Sequence, residues 1–150
     1  MRRMILLRLL LMLAAIHSSA PSTNAAFDVA IAANAVVDAD QPAFGSPEMD
    51  VAVLLVTAWE ESRFKLDTVA DGGDSLGVWQ LQRTSRAVAF DLAQSTPIAY
   101  ARLRESAKAC PDAPLAPYIG GCYRSKARAR SRHRMHMAER VAAAAYEAAP

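Results

Sequence analysis

The chain has 150 residues, of which 53% are hydrophobic and 21% are charged, and its formal net charge at pH 7 is +2. This length and composition suit one packed globular domain and exclude an intrinsically disordered chain. The two cysteines are too few for a small domain held together mainly by disulfides.

The first 25 residues have the composition of a secretory signal peptide. Arg2 and Arg3 precede an apolar segment, Met4 to Ile16, which Arg8 interrupts, and small and polar residues follow up to Ala25. This order predicts cleavage after Ala25 and export of residues 26–150 to the periplasm or the extracellular space. Cleavage removes three arginines and no acids, so the net charge changes from +2 to −1.

The alternative for this segment is a retained membrane anchor. The apolar stretch from Met4 to Ile16 contains an arginine, and it is shorter than the roughly 20 apolar residues that a membrane-spanning helix needs. We therefore expect a cleaved signal peptide, with no stable membrane span after cleavage.

The remaining chain predicts helices joined by loops. Apolar residues at helical spacing and capping residues mark each of them. The predicted helices are Phe27 to Val37, a central helix after Ser46, one from Ser85 to Leu92 or Ala93, one capped by Thr96 that ends before Cys110, and Lys126 to Ala148.

The central helix has the clearest beginning. Ser46 offers a capping hydroxyl, Pro47 fits the first turn, and Glu48 and Asp50 place negative charge at the positive end of the helix dipole. The following run, Val51 to Trp59, leaves no polar face, so this helix should cross the middle of the domain.

Two carboxylates, Glu60 and Glu61, end this helix. At the edge of a core, burial favours the protonated form that a general acid needs near neutral pH. The two side chains point about 100° apart on a helix, so at most one of them faces a cleft squarely. The helical geometry leaves both residues as candidates.

Three short signatures occur in order between Pro47 and Gly121. They are Glu61-Ser62, Gly77-Val78-Trp79-Gln80 and Tyr118-Ile119-Gly120-Gly121. This set resembles the Glu-Ser, Gly-Leu-Met-Gln and Tyr-Asn-Ala-Gly signatures of the soluble lytic transglycosylase (SLT) domain, a branch of the lysozyme-like superfamily. Trp79 stands where the family has Met, and Ile119 stands where it has Asn.

The resemblance implies an all-α fold of the α+β lysozyme-like type, a single compact helical domain with a small β-like tongue beside the catalytic cleft. Only the neighbourhood of Asp71 to Gln80 favours strands, since it is rich in Asp and Gly at a turn. The sequence contains no internal repeat and gives no indication of a second domain.

The resemblance also selects Glu61, because the family's catalytic acid directly precedes Ser. It implies that Glu61 protonates the oxygen of the β-1,4 bond between N-acetylmuramic acid and N-acetylglucosamine in peptidoglycan. The same carboxylate then acts as a base while the muramyl O6 closes on C1, which gives a 1,6-anhydro-muramyl product without water.

The other signature residues are implied to bind substrate, and each has a structural alternative. Ser62 orients Glu61 or makes a local bond; Gly77 and Gln80 approach sugar or hold a turn. Trp79 stacks on a sugar face or packs in the core. Tyr118 places its hydroxyl near the acid or belongs to the core.

A lysozyme-type hydrolase is the first alternative function. It needs a second carboxylate besides Glu61, at a separation that sets the stereochemical outcome. Asp71 and Asp74 lie in the loop that would supply one, although loop acids more often satisfy local turns.

Cys110 and Cys122 are expected to form a disulfide if the protein is exported. No metal or other cofactor is expected, because His17 lies in the signal segment, His133 and His136 lie near the far end of the chain, and no paired cysteine spacing accompanies them. A nucleophilic cysteine would need a histidine base beside it, and none is indicated.

The charges divide the chain into two unequal parts. Ten acids lie from Phe27 to Asp74, and eleven bases lie from Arg83 to Arg134. Alternate cations from Arg124 to Arg134 would wind around every face of a helix, so they do not form one basic membrane-binding side. They would suit anionic wall polymers or simply face solvent.

No nucleic-acid partner is expected, since this basic segment has no interleaved aromatic residues or reading motif. Two further alternatives remain open: a catalytically silent protein that binds the cell wall, and a basic protein that binds polyanions.

Overall fold

Helices make up most of residues 2–16 and 24–146, the part of the chain that the structure, a computed structural model, describes. Within that part there are seven α-helices and one two-stranded antiparallel sheet, which confirms the predicted mainly helical fold with a small β tongue. The elements are α1 (Arg2–Ile16), α2 (Asn24–Val36), α3 (Pro47–Ser62), β1 (Val69–Ala70), β2 (Ser75–Leu76), α4 (Arg86–Ala89), α5 (Leu92–Ala109), α6 (Ala116–Ile119) and α7 (Ser125–Tyr146).

Helix α3 runs through the core as predicted. The Ser46 hydroxyl accepts a hydrogen bond from the Met49 amide at 3.1 Å, and every residue from Asp50 to Ala58 is buried. Helix α7 packs along α3 and contributes small side chains such as Ala138, Val141 and Ala145 to the same core. The contact between these two helices brings the C-terminal end of α3 to the middle of α7.

Helix α1 also packs against α7, and Leu9, Met12 and Leu13 are buried there. Residues 17–23 lie outside the described part, and Ala25 falls in the first turn of α2. Cleavage after Ala25 stays a prediction. Such cleavage would remove α1, a helix that is packed on the domain. No helix in residues 2–16 or 24–146 is long and apolar enough to cross a membrane.

The boundaries predicted for the two helices after the tongue, α4 and α5, were wrong. Ser85 caps only the single turn of α4, and α5 begins earlier than Thr96, because the Asp91 carboxylate accepts hydrogen bonds from the amides of Ala93 and Gln94. Pro97 lies inside α5 and has no amide hydrogen to donate to the carbonyl of Ala93, which is an exposed residue.

The tongue is a hairpin. Val69 and Ala70 pair with Leu76 and Ser75, and the connection is a 3₁₀ turn, Asp71–Gly73. A further antiparallel bridge joins Leu76 to Leu81. The hairpin therefore continues directly into the Gly77 to Gln80 turn.

The predicted terminal helix is present as α7. Its first turns are tied to the preceding loop by Arg128. Arg128 pairs with Asp112 and donates to the Cys122 carbonyl at 3.2 Å. Residues 147–150, where the predicted end of this helix falls, lie outside the described residues.

Candidate active site

Glu61 lies in the last turn of α3 with 21% of its side chain exposed. Its Oε1 accepts a hydrogen bond from Arg134 of α7 at 2.7 Å. Glu60, the other candidate, faces a different direction and forms an ion pair with Arg63 at 3.6 Å. Of the two carboxylates, Glu61 is therefore the one held between the two central helices.

Arg134 is the functional candidate that the sequence prediction missed. The core-facing positions of α7 are Ala127, Ser131, Arg134, Ala138, Val141, Ala142 and Ala145. Arg134 follows Ser131 by three residues and precedes Ala138 by four, so helical spacing alone places it on the core face. In the sequence it belongs to a run of alternating cations that would wind around every face of a helix, so charge spacing alone does not single it out.

Tyr118 of α6 connects the third signature to the second. Its hydroxyl donates a hydrogen bond to the Trp79 carbonyl at 2.6 Å, and its amide donates to the Ser106 hydroxyl at 3.2 Å. Burial, and then the nearby negative charge of Glu61, raise the pKa of the Tyr118 phenol, which stays protonated throughout the physiological range. The phenol is thus a fixed donor within electrostatic reach of Glu61.

The Gly77 to Gln80 turn is held by its own backbone. The Gln80 amide group donates to the carbonyls of Gly77 at 2.9 Å and Thr68 at 3.3 Å. Gly77 has a φ of +76°, and a Cβ there would lie 2.2 Å from the Ala89 backbone oxygen. A glycine is therefore required here because α4 approaches the backbone closely. This agrees with the alternative in which Gly77 holds the turn, rather than with contact to a sugar.

Two signature side chains do not face the cleft. Trp79 is completely buried in the core, so it cannot stack on a sugar and the core-packing alternative is the one realised. The Ser62 hydroxyl donates to the Ala58 carbonyl at 2.9 Å, which is a local helical bond rather than a bond to Glu61.

The two loop acids lie at the tip of the tongue and are both exposed. The Asp71 carboxylate accepts a hydrogen bond from the Ser75 hydroxyl at 2.5 Å, and the Asp71 carbonyl accepts from the Asp74 amide at 3.3 Å. These contacts close the turn of the hairpin, which is the local role that loop acids commonly have.

A cleft of about 750 Å³ opens between α5, α6 and the tongue. Its polar lining residues are Gln80, Gln82, Arg102, Glu105, Ser106 and Tyr118, and Gly120 and Gly121 also line it. Glu61 is not one of its lining residues. Tyr118 does line the cleft, and the negative charge of Glu61 raises the pKa of its phenol. The cleft is large enough for a few sugar or peptide units.

The predicted disulfide is confirmed. Cys110 and Cys122 are bonded, with their Cα atoms 5.8 Å apart. The closed loop contains α6, and therefore Tyr118, Gly120 and Gly121 of the cleft. Asp112 lies near the two sulfur atoms, but bonded cysteines do not offer thiolate ligands to a metal.

The basic segment divides into two groups. Arg128 and Arg134 form the internal ion pairs described above, whereas the other four cations are exposed. The exposed ones are Arg124, Lys126, Arg130 and Arg132. Arg124 also lies against Gly121 at the rim of the cleft.

Comparisons with protein-family models, with curated proteins and with solved structures find no match to this chain. The resemblance to the SLT domain stays an expectation from the three sequence signatures.

Proposed function

We propose that this protein cleaves the glycan strands of peptidoglycan as a lytic transglycosylase, with Glu61 as general acid and base. One observation supports this most: Tyr118 donates to the Trp79 carbonyl and is within electrostatic reach of Glu61. Residues of the second and third signatures, Gln80 and Tyr118, thus line one cleft, and Glu61 of the first signature lies close enough to Tyr118 to act on it electrostatically.

In the proposed reaction Glu61 donates its proton to the glycosidic oxygen between N-acetylmuramic acid and N-acetylglucosamine. The bond from C1 to that oxygen breaks, and the resulting carboxylate then removes the proton from the muramyl O6 as O6 bonds to C1. The proton lost in the first step is regained in the second, so one carboxylate is sufficient.

The cleft supplies donors and acceptors for such a strand. Gln80 and Tyr118 hold its floor, while Arg102 and Glu105 of α5 contribute charge to its wall. Exposed Arg124, Lys126, Arg130 and Arg132 would draw an anionic wall polymer toward the rim. The disulfide is compatible with an exported protein, because such bonds persist in oxidising compartments.

A transglycosylase fits better than a hydrolase because both candidates for a second carboxylate lie at the tip of the tongue. Asp71 is hydrogen-bonded there, and Asp74 is exposed in the same turn. A water-using mechanism would need one of them to leave that turn and face the scissile bond.

A catalytically silent wall-binding protein is the second candidate. The Arg134 ion pair favours it, since the guanidinium 2.7 Å from Oε1 occupies one oxygen of the carboxylate that would have to donate the proton. In that case the cleft would bind glycan strands without breaking them.

The test compares the oxidised full-length chain with Glu61→Gln and Glu60→Gln in release of soluble fragments from purified peptidoglycan. Removing the proposed general acid should reduce release by at least about a hundredfold, the usual size of a general-acid contribution. Glu60→Gln removes a neighbouring surface ion pair and should retain activity. Equal loss in both variants, or unchanged release with Glu61→Gln, would contradict the assignment, and binding without release from the wild type would favour the silent protein.

A further inference from the structure

Arg102 of α5 brings a positive charge to the cleft between α5, α6 and the tongue. The residue is half-buried, and its Nη2 donates a hydrogen bond to the Gln82 carbonyl at 2.9 Å. In the part of the chain that the structure describes, the ion pairs of carboxylates do not include Arg102. The cleft therefore contains a cation that is held in place but has no acid to compensate its charge.

Glu105 is the acid of α5 that could have compensated Arg102. It follows Arg102 by three residues, so both lie on one side of the helix, and both line the cleft. Glu105 is instead paired with Lys108 at 2.9 Å, and both side chains of that pair are largely exposed. The charge of Glu105 is thus balanced at the surface, and that of Arg102 is left over.

The position of Arg102 relates it to the candidate active site. Arg102 and Tyr118 line the same cleft. Burial and then the Glu61 charge raise the pKa of the Tyr118 phenol, whereas the charge of Arg102 acts on that pKa in the opposite direction. The uncompensated cation is therefore close to the side chain that connects the cleft with Glu61.

The chemistry of the guanidinium indicates what it would bind. Its N–H groups form a planar fork that matches the two oxygens of a carboxylate or a phosphate, and the Gln82 carbonyl uses only one of these groups. A half-buried cation is also screened less by salt than an exposed one such as Arg124 at the rim. Because the repeating unit of a peptidoglycan strand offers carboxylates and no phosphate, a carboxylate is the group that fits.

We propose that Arg102 anchors a carboxylate-binding subsite in the cleft, which selects glycan strands that carry muramyl acids. This inference rests on the proposed function. The acids of such a strand belong to N-acetylmuramic acid, either as the lactyl carboxylate of a peptide-free residue or as the carboxylates of an attached stem peptide. N-acetylglucosamine carries none, so the subsite distinguishes peptidoglycan from a neutral polymer of N-acetylglucosamine.

The experiment measures the Kd of three tetrasaccharides with the oxidised full-length chain by isothermal titration calorimetry. The first is a peptide-free strand of alternating N-acetylglucosamine and N-acetylmuramic acid, the second is the same strand with stem peptides, and the third is the neutral tetramer of N-acetylglucosamine. Glu61→Gln is included in every protein so that the ligands stay intact. If that variant does not fold, Glu61 is kept and the titrations are done at low temperature, with the ligands checked by mass spectrometry.

The variants separate the charge of Arg102 from its shape. Arg102→Gln removes the charge, and Arg102→Lys keeps the charge without the planar fork. Arg104→Gln is the matched control, because Arg104 is a half-buried cation of the same helix that lies over the Tyr100 ring and is not a lining residue of the cleft. Thermal melting first establishes which variants are folded.

We expect Arg102→Gln to raise the Kd of an acid-bearing strand by about ten- to a hundredfold, the usual contribution of hydrogen bonds to a charged group. The Kd of the neutral tetramer should not change, and Arg104→Gln should match its parent with all three ligands. Arg102→Lys should raise the Kd of the acid-bearing strand by a smaller factor, and it provides the test if Arg102→Gln does not fold. Weaker binding of the peptide-free strand identifies the lactyl carboxylate, whereas weaker binding of the peptide-bearing strand alone identifies the stem peptide.

The contrast between ligands also tests a purely structural role. If Arg102 only holds the tongue through the Gln82 carbonyl, its replacement should weaken the binding of all three tetrasaccharides equally, and that result would overturn the proposal. An unchanged Kd for both acid-bearing strands, or no binding of either one by the parent protein, would overturn it as well.

Release of fragments from peptidoglycan, measured separately with Glu61 intact, distinguishes this inference from the proposed function. If no fragments are released but the acid-bearing strands bind through Arg102, the enzymatic function fails and the subsite stands. If fragments are released and the replacement of Arg102 does not change either Kd, the subsite fails and the enzymatic function stands.

Discussion

The Asp50 carboxylate is completely buried at the start of α3, where three donors satisfy it. Its oxygens accept from the amides of Ala43 at 2.7 Å and Phe44 at 2.8 Å and from the Tyr100 hydroxyl. These bonds attach the connector before α3 and helix α5 to the central helix. From the sequence, Asp50 was expected only to interact with the helix dipole. In the fold it also joins α3 to α5 and to the connector before α3.

Tyr100→Phe removes one donor from this buried acid. We expect the free energy of unfolding at neutral pH to fall by about 1 to 3 kcal/mol, the usual penalty for leaving a buried polar group without its partner. Tyr123→Phe is the control, since Tyr123 is 95% exposed and should change stability little. Urea unfolding of the three proteins gives the comparison, and equal stability would show that the Asp50 contact is unimportant.

Tyr100 also makes the free energy of unfolding depend on pH. Burial and then the Asp50 hydrogen bond raise the pKa of Tyr100 to about 12, above its ordinary value of 10. Between these values the unfolded tyrosine ionises before the folded one, so the wild type should lose stability as the pH rises above 10. Tyr100→Phe should show a smaller decrease over that range, and an identical slope in both proteins would contradict the assignment.

Gly77→Ala tests the contact between the signature turn and α4. The added Cβ would overlap the Ala89 backbone oxygen, so the variant should lose at least about 2 kcal/mol of stability, the range of overpacking and positive-φ strain together. Gly73→Ala is the matched control, because Gly73 also has positive φ but has open space at its Cβ. Similar losses in both variants would mean that backbone conformation, rather than crowding by α4, determines the choice of glycine.

At the scale of elements, boundaries were predictable where one local signal was strong and uncontested. Ser46 and Pro47 fixed the beginning of α3, and the tongue followed from an Asp-Gly turn. The start of α5 was not predictable in this way, since Thr96 and Pro97 also form a good helix start, and only the fold shows that Asp91 is the cap. The Arg134 pair depends on a contact across 73 residues, which no local pattern contains.

The disulfide loop carries α6 and the Tyr118 side of the cleft. Replacing both Cys110 and Cys122 by Ser should lower the free energy of unfolding by about 3 kcal/mol, because the unfolded chain gains the freedom of an open loop. Fragment release from peptidoglycan should fall with it, as Tyr118 loses part of its support. Unchanged melting temperature in the double variant, compared with the oxidised wild type, would show that Arg128 and α7 hold this loop without the bond.

At the scale of the whole molecule, the N-terminal helix is the least expected part of the packing. The sequence predicts a removable leader, whereas α1 covers α7 with Leu9, Met12 and Leu13. A chain beginning at Ala26 should therefore be less stable than the full chain by several kcal/mol, at about 1.5 to 3 kcal/mol for each large apolar side chain that loses its cover. Equal stability of the two chains would indicate that α1 contributes nothing to the domain and would agree with a cleaved leader.

The central claim concerns the reaction itself, and mass spectrometry of the fragments released from purified peptidoglycan by the oxidised full-length chain tests it most directly. If Glu61 acts as both acid and base, the products carry 1,6-anhydro-muramyl ends and these ends are absent with Glu61→Gln. Reducing ends would instead indicate a hydrolase and direct attention to Asp71 and Asp74. No fragments from a folded, oxidised protein would contradict the enzymatic account.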